Sequence, residues 1–218
     1  MKMTKIYDGS YEWIMYGRDE NKPGNIIDTN QYIIRTATRC LVLDPGGIEL
    51  FAPMLAAVLH HAPVEEITDL FASHQDPDII SSLGMWDQVI PKARLYTPGL
   101  WEGFIRHFGM TNTEYVSIPD EGGSIDMGGG VTLEFVPAHY LHSSGNFNVY
   151  DPEAKLLMSG DIGASLEEGI VPSSVTDFES HVQYMKGFHQ RWMPSNSAKI
   201  DWVSRIRALD VETMAPQH

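Results

Sequence analysis

The chain is poor in cysteine, in basic residues and in long apolar runs, and each shortage closes off a class of protein. Of 218 residues only one is cysteine, Cys40. A single thiol forms no internal disulfide and builds no cysteine-based zinc site. Within Thr38-Arg39-Cys40-Leu41-Val42-Leu43 it reads as a buried strand residue. Lysine and arginine number 15 against 29 aspartates and glutamates, a formal charge of −14. That balance argues against non-specific binding to nucleic acid or to an anionic membrane surface. No apolar run reaches the roughly 18–20 residues of a membrane span. The N-terminal segment, Met1 to Asp8, lacks the apolar core of a signal peptide. A reducing, cytoplasmic location is therefore expected. A hydrophobic content of 43% with 20% charged residues is that of a globular protein. With no linker, low-complexity stretch or repeat, a single domain over residues 1–218 is expected.

What is present is a set of histidines and aspartates in special places. Residues 71–78 read Phe-Ala-Ser-His-Gln-Asp-Pro-Asp. In an extended backbone every second side chain shares one side, so His74, Asp76 and Asp78 are expected to converge. They follow an apolar run, Ile67 to Ala72, that reads as a buried strand. Open sheets place their chemistry at the C-terminal ends of such strands. On its own this motif is a common turn-forming segment. Three further clusters change that reading. Pro137-Ala138-His139-Tyr140-Leu141-His142 follows the apolar run Val131 to Val136. Leu156-Leu157-Met158-Ser159-Gly160-Asp161 is an apolar strand ending in an acid. Met214-Ala215-Pro216-Gln217-His218 closes the chain. Four strand-like runs thus each lead into histidine or aspartate, which random placement of nine histidines would seldom produce.

The remaining elements follow from periodicity and turn residues. Strands are expected over Thr4–Tyr16, Gln31–Arg35, Cys40–Asp44, Ala93–Thr97, Tyr115–Ile118, Gly123–Met127 and from Asn146 to Asp151. Helices are expected over Glu49–His61, Ile79–Met85, Gly99–Phe108, Asp177–Trp192 and Ser197–Leu209. The last of these is expected to turn Ile200, Val203, Ile206 and Leu209 inward. Strands followed by helices, twice over, make a mixed α/β (α+β) sandwich with helices outside. Trp86, Trp101 and Trp192 read by default as core, and His60-His61 as the end of a helix. Gly128-Gly129-Gly130 reads as a hairpin turn.

Together the four clusters resemble the metallo-β-lactamase fold, an αββα sandwich with a dinuclear metal site at one edge of the sheets. That family's general motif, His-X-His-X-Asp-His, is altered here, because Asp76 stands at the second histidine position. A carboxylate there resembles the flavodiiron branch. The separations support it, His142 following His74 by 68 residues and Asp161 following His142 by 19. So does the closing Ala-Pro-Gln-His218. The resemblance implies that His74, Asp76 and His142 hold a first metal, that Asp78 and His218 hold a second, and that Asp161 bridges them. The histidine normally adjacent to the motif aspartate falls at Ile79 and is missing. His139 and Tyr140 have no assigned counterpart, and stand as a possible extra ligand or oxygen contact. The motifs are most similar to stand-alone oxygen-binding diiron proteins associated with chemotaxis receptors and their kinase.

This resemblance implies two iron ions, with zinc able to occupy the site in purified protein, and dioxygen or peroxide as the bound ligand. Three carboxylates and three imidazoles make a harder, more anionic site than a histidine-rich zinc hydrolase presents. There is no phosphate loop for a flavin and no room for a flavodoxin domain, so no flavin is expected. Reduction of dioxygen to water takes four electrons, and two ferrous ions supply two. An oxygen sensor acting on a chemoreceptor or kinase partner is therefore the expected function. Oxygen or nitric oxide reduction fed by a separate electron donor is the alternative, which would make the chain a diiron oxidoreductase. A dinuclear metallo-hydrolase is a third reading. A homodimer is implied by the flavodiiron relatives.

Overall fold

The computed structural model describes residues 1–17, 26–167 and 173–218. Two sheets carry the fold. The first has seven strands in sequential order: β1 (Lys2–Asp8), β2 (Glu12–Gly17), β3 (Gln31–Arg35), β4 (Cys40–Leu43), β5 (Ile67–Phe71), β6 (Arg94–Pro98) and β7 (Glu114–Ile118). Strands β1 to β4 are antiparallel neighbours. Strands β4 to β7 are parallel. Parallel neighbours need crossovers, and the helices α1 (Phe51–Leu59), α2 (Pro77–Ile80), α3 (Leu83–Val89) and α4 (Glu102–Ile105) lie in those connections. The second sheet comprises β8 (Gly123–Asp126), β9 (Thr132–Pro137), β10 (Phe147–Asp151), β11 (Leu156–Gly160) and β12 (Thr213–Pro216). Its order is β12-β11-β10-β9-β8, and only the β11–β12 pair is parallel. Between β11 and β12 run α5 (Phe178–Trp192) and α6 (Asn196–Ile206).

Successive side chains of the central strands enter two different buried layers, because both faces of each sheet are covered. Trp13, Tyr32, Ile34, Leu41, Leu43 and Phe71 of the first sheet meet Leu133, Phe135, Phe147, Val149 and Met158 of the second in one apolar layer. The phenyl rings of Phe71 and Phe135 stack across it at 5.5 Å. The opposite residues of the first sheet, Ile14, Ile33, Val42 and Leu70, pack under α1 to α3 with Met54, Val58, Leu83 and Trp86. Cys40 belongs to this core, as expected, and burial pushes its thiol up to about 12. Smaller apolar clusters under α5 and α6 complete an αββα sandwich, the expected architecture.

Several expected elements differ in detail. The single strand expected over Thr4–Tyr16 is a hairpin: Gly9 and Ser10 turn the chain, with Gly9 N donating to Tyr11 O at 3.0 Å. Asp-Gly-Ser is a turn signal that loose alternation on either side concealed. The helix expected over Ile79–Met85 is two short ones, α2 and α3. That over Gly99–Phe108 is α4 followed by a 3-10 turn, Arg106–Phe108. In α6, Ile200 faces outward and is 68% exposed. Ile206 and Leu209 face inward as expected, and Trp202 joins them in place of Ile200, with Trp202 Nε1 donating to Asn148 Oδ1 at 2.7 Å. Trp86 is core, while Trp192 is half-exposed. His60 caps its helix through Nδ1, 2.6 Å from Ala56 O.

Candidate metal centre

The C-terminal ends of β5, β9, β11 and β12 meet at one place, and the sequence motifs hang from them. His74, Asp76 and Asp78 follow β5. His142 follows β9, Asp161 directly follows β11, and His218 lies two residues beyond β12. The extended alternation expected of residues 74–78 holds only to Asp76. Pro77 has its φ preset for a first helical position, so Asp76 is the N-cap of α2 and Asp78 sits in its first turn. The helix carries Asp78 sideways, toward His218 rather than toward His74. It also explains the missing ligand: Ile79 points into the apolar core beneath the helices and is 1% exposed.

One ligand atom each from His74, Asp76, His142 and Asp161 lie within 4.8 Å of one another. His142 Nε2 is 2.7 Å from Asp76 Oδ2 and 3.5 Å from Asp161 Oδ2. His74 Nε2 is 3.7 Å from Asp76 Oδ2 and 4.0 Å from Asp161 Oδ2. The other oxygen of the same carboxylate, Asp161 Oδ1, lies 3.2 Å from His218 Nε2. His218 Nε2 is in turn 3.7 Å from Asp78 Oδ2. Asp161 therefore turns one oxygen to each of two half-sites, His74/Asp76/His142 and Asp78/His218.

The electrostatics are those of mutually dependent groups. Burial alone would raise Asp76, but the hydrogen bond from His142 and the nearby His74 imidazole hold its carboxyl well below the usual range. Asp161 is likewise held down against burial by His218, His74 and His142. Burial raises Asp78. His74 and His218, which burial alone would lower, are raised by the facing carboxylates. Buried charges persist only when paired or when they coordinate a metal.

Neighbouring side chains aim the ligands. His218 Nδ1 is 2.7 Å from Asp28 O. A carbonyl only accepts, so Nδ1 carries a proton and Nε2 is the ring atom turned to the site. His74 Nδ1 is 2.9 Å from Ser73 Oγ. Gln75 donates from Nε2 to Asp76 Oδ1 at 2.8 Å, leaving Oδ2 for the site. Its Oε1 accepts from Ser143 Oγ at 2.7 Å. Behind them the fully buried Asp44 accepts from Ser73 N at 2.8 Å and from Gln217 Nε2. Burial pushes Asp44 up to about 7. From α5, Phe188 and Trp192 lie against the His142 ring at 6.0 and 5.3 Å, and Phe188 reaches the His218 ring at 6.3 Å.

His139 and Tyr140 are placed differently. His139 Nε2 is 2.9 Å from Asp120 O and its ring stands edge-on to Phe147. Tyr140 is 63% exposed. Among the described residues no contact joins either to the cluster. Gln75, Asp44 and Gln217 were not singled out from the sequence. Gln75 and Gln217 adjoin proposed ligands, a signal that the sequence carries; Asp44 lies in Asp-Pro-Gly-Gly, which by itself reads as a turn.

A sequence model described as "ODP family beta lactamase" matches residues 27–218. The chain belongs to the ODP family. It is similar over its whole length to a structure described as the peroxy diiron species of chemotaxis sensor ODP, with 35% identity and a TM-score of 0.87, covering 87% of that chain. The apo chemotaxis sensor ODP from T. denticola is 34% identical, with a TM-score of 0.86 and 86% of its chain covered. Outside the ODP family, a flavo di-iron protein variant from Thermotoga maritima shares the fold at 17% identity. Its TM-score is 0.79, and this chain spans 56% of its length. No curated protein matches the sequence. Among the described residues no helix is long and apolar enough to cross a membrane.

Proposed function

We propose that this chain binds two iron ions and, through them, dioxygen, and that it serves as an oxygen sensor for a chemotaxis partner such as a receptor or its kinase. The observation that carries this reading is the division of Asp161 between two half-sites built only of imidazole and carboxylate. The donor set fits iron: three carboxylates offset most of the charge of two divalent cations, and oxygen and nitrogen donors suit iron in both common oxidation states. His74 Nε2 supports it too, being buried in the cluster with no hydrogen-bond partner among the described residues. His74, Asp76 and His142 would hold one ion, Asp78 and His218 the other, and Asp161 both. When bound, the two ions supply the electrons that dioxygen binding requires.

The residues of the chain do the rest. Asp76 is fixed by Gln75 so that one oxygen faces the site. Asp28 O fixes the His218 tautomer. Phe188 and Trp192 place aromatic rings over the imidazoles and limit access of water from that side. A protein titrating the site's state to a partner needs a surface coupled to it, and α5 touches two proposed ligands on one side while exposing Phe178 and Val182.

The test is anaerobic reconstitution with ferrous iron, followed by admission of oxygen and then sparging with argon, with visible spectra throughout. Two irons per chain and a coloured adduct lost on sparging are expected. A ferric end state that returns only with added reductant would replace sensing by oxygen reduction. No iron-dependent spectrum would sink the proposal.

A further inference from the structure

Two buried amides lie behind the proposed ligands, and each has one end accounted for and one end bare. Asn146 and Gln217 are both fully buried. Asn146 Nδ2 donates to Leu141 O at 2.9 Å. Gln217 Nε2 donates to Asp44 Oδ2 and lies 3.5 Å from Ser73 Oγ. A carbonyl oxygen only accepts, which sets the Asn146 amide, and the Gln217 amide is set with its N–H toward Asp44. The remaining oxygens, Asn146 Oδ1 and Gln217 Oε1, have no hydrogen-bond partner among the described residues. Burying an amide oxygen without a donor is costly.

Both oxygens face the same spot. Gly160 has φ +59, and a Cβ built on it would stand 3.5 Å from Asn146 Oδ1 and 3.7 Å from Gln217 Oε1. The glycine presents its bare side to two acceptors, a place for a small molecule with two protons to donate. The four segments that meet there all carry proposed ligands. Gly160 precedes Asp161. Gln217 precedes His218, and its N donates to Gly160 O at 2.9 Å. Ser73 precedes His74. Leu141 precedes His142, in a loop where Tyr140 and His142 both have positive φ, 63° and 73°. Such conformations persist only where surroundings over-determine them, and the Asn146 bond to Leu141 O sits between the two.

We infer that Asn146 and Gln217 are positioning residues for the metal pair, joined through one buried water at the bare face of Gly160. Asn146 holds the strained His142 loop, Gln217 ties the His218 and His74 segments, and the water makes the two act as a unit. This rests on the metal reading above.

Stepwise titration of the metal-free full-length chain with cobalt(II), against a chromophoric chelator, tests it. Loss of outer hydrogen-bond partners commonly costs roughly 10- to 100-fold in metal affinity. Asn146→Leu should weaken the ion proposed at His142 by that factor and, through the lost link to Gln217, the other ion by less. Gln217→Met should weaken both. The double variant should lose less than the product of the single losses, because the link breaks only once. A crystal structure should show ordered density within hydrogen-bond distance of both oxygens. Unchanged affinities, equal losses at both ions that merely track melting temperature, a multiplicative double variant, or no such density would overturn the inference. A wild-type chain that takes up no metal would overturn the metal reading as well, and only that outcome would reach so far.

Discussion

At the scale of single residues the site hangs on one carboxylate. Asp161 is the only proposed ligand that faces both half-sites among the described residues, so Asp161→Ala should abolish binding of both ions. Elemental analysis still finding two irons per chain would count decisively against the assignment. His139→Ala should leave iron content and oxygen release unchanged, since its ring is engaged with Asp120 O and Phe147. Altered release kinetics would return it to the site. Away from the site, Asp87 illustrates what a buried carboxylate does for the fold. It is fully buried and accepts from the backbone N–H groups of Thr111, Asn112 and Thr113 at 3.1, 3.0 and 2.7 Å, and from Thr113 Oγ1 at 2.7 Å. Burial would raise it, but these donors prevail and hold it at about 2. A folded-state value below the unfolded one stabilises above the unfolded pKa, and that contribution is lost as pH falls from about 4 through about 2. The shift corresponds to about 2 kcal/mol. Asp87→Asn should cost that much at neutral pH in urea unfolding, and its stability should decline less between pH 4 and 2 than that of the wild type. Equal slopes would place the acid sensitivity elsewhere.

At the scale of elements, α5 stands apart. It is 15 residues long with none buried, and Asp177 caps it through Ser180 N at 3.2 Å. A helix of this length is marginal without packing. Its packing includes Phe188 and Trp192 against His142 and His218. Ordering those imidazoles should therefore order the helix. Amide exchange in residues 178–192 should be fast in the metal-free chain and slow at least tenfold when metal is bound, while β10 stays protected in both. Equal exchange in the two forms would uncouple α5 from the site. Elements of this kind are also where the sequence was least legible. The apolar spacing that marks a helix was present in both α5 and α6. Which residues faced inward was not, since Ile200 is exposed and Trp202 takes its place. Spacing reports a stripe, but the stripe's direction is decided by what the helix lands on. Buried strands were read well, because β4 is an unbroken apolar run and β5 and β11 are mostly apolar, each bounded by turn residues. The Asp8-Gly9-Ser10 turn was missed because the strands on both sides share one alternating pattern.

At the scale of the whole molecule the proposed ligands come from both sheets. His74, Asp76 and Asp78 follow a strand of the first, and His142, Asp161 and His218 follow strands of the second. The sequence made this visible as four motifs at four strand ends. It did not show that Asp78 is turned toward His218 by a helix begun at Pro77, since that depends on where the second sheet sits. Metal bound across the two sheets would act as a staple that the unfolded chain lacks. It would also relieve the mutual repulsion of three carboxylates in a chain of net charge −14. Free metal at a hundred times the dissociation constant stabilises a folded state by about 3 kcal/mol per site. For a chain of this size that is a rise in melting temperature of roughly 6–12 °C per site. Calorimetry on metal-free and metal-loaded protein should show this rise as one transition shifted intact, reversed by chelator, and Asp161→Ala should melt at the same temperature with and without metal. A loaded protein that melts in two separate steps would mean that the ions bind one sheet alone, and that the bridging geometry of Asp161 does not govern how the halves hold together.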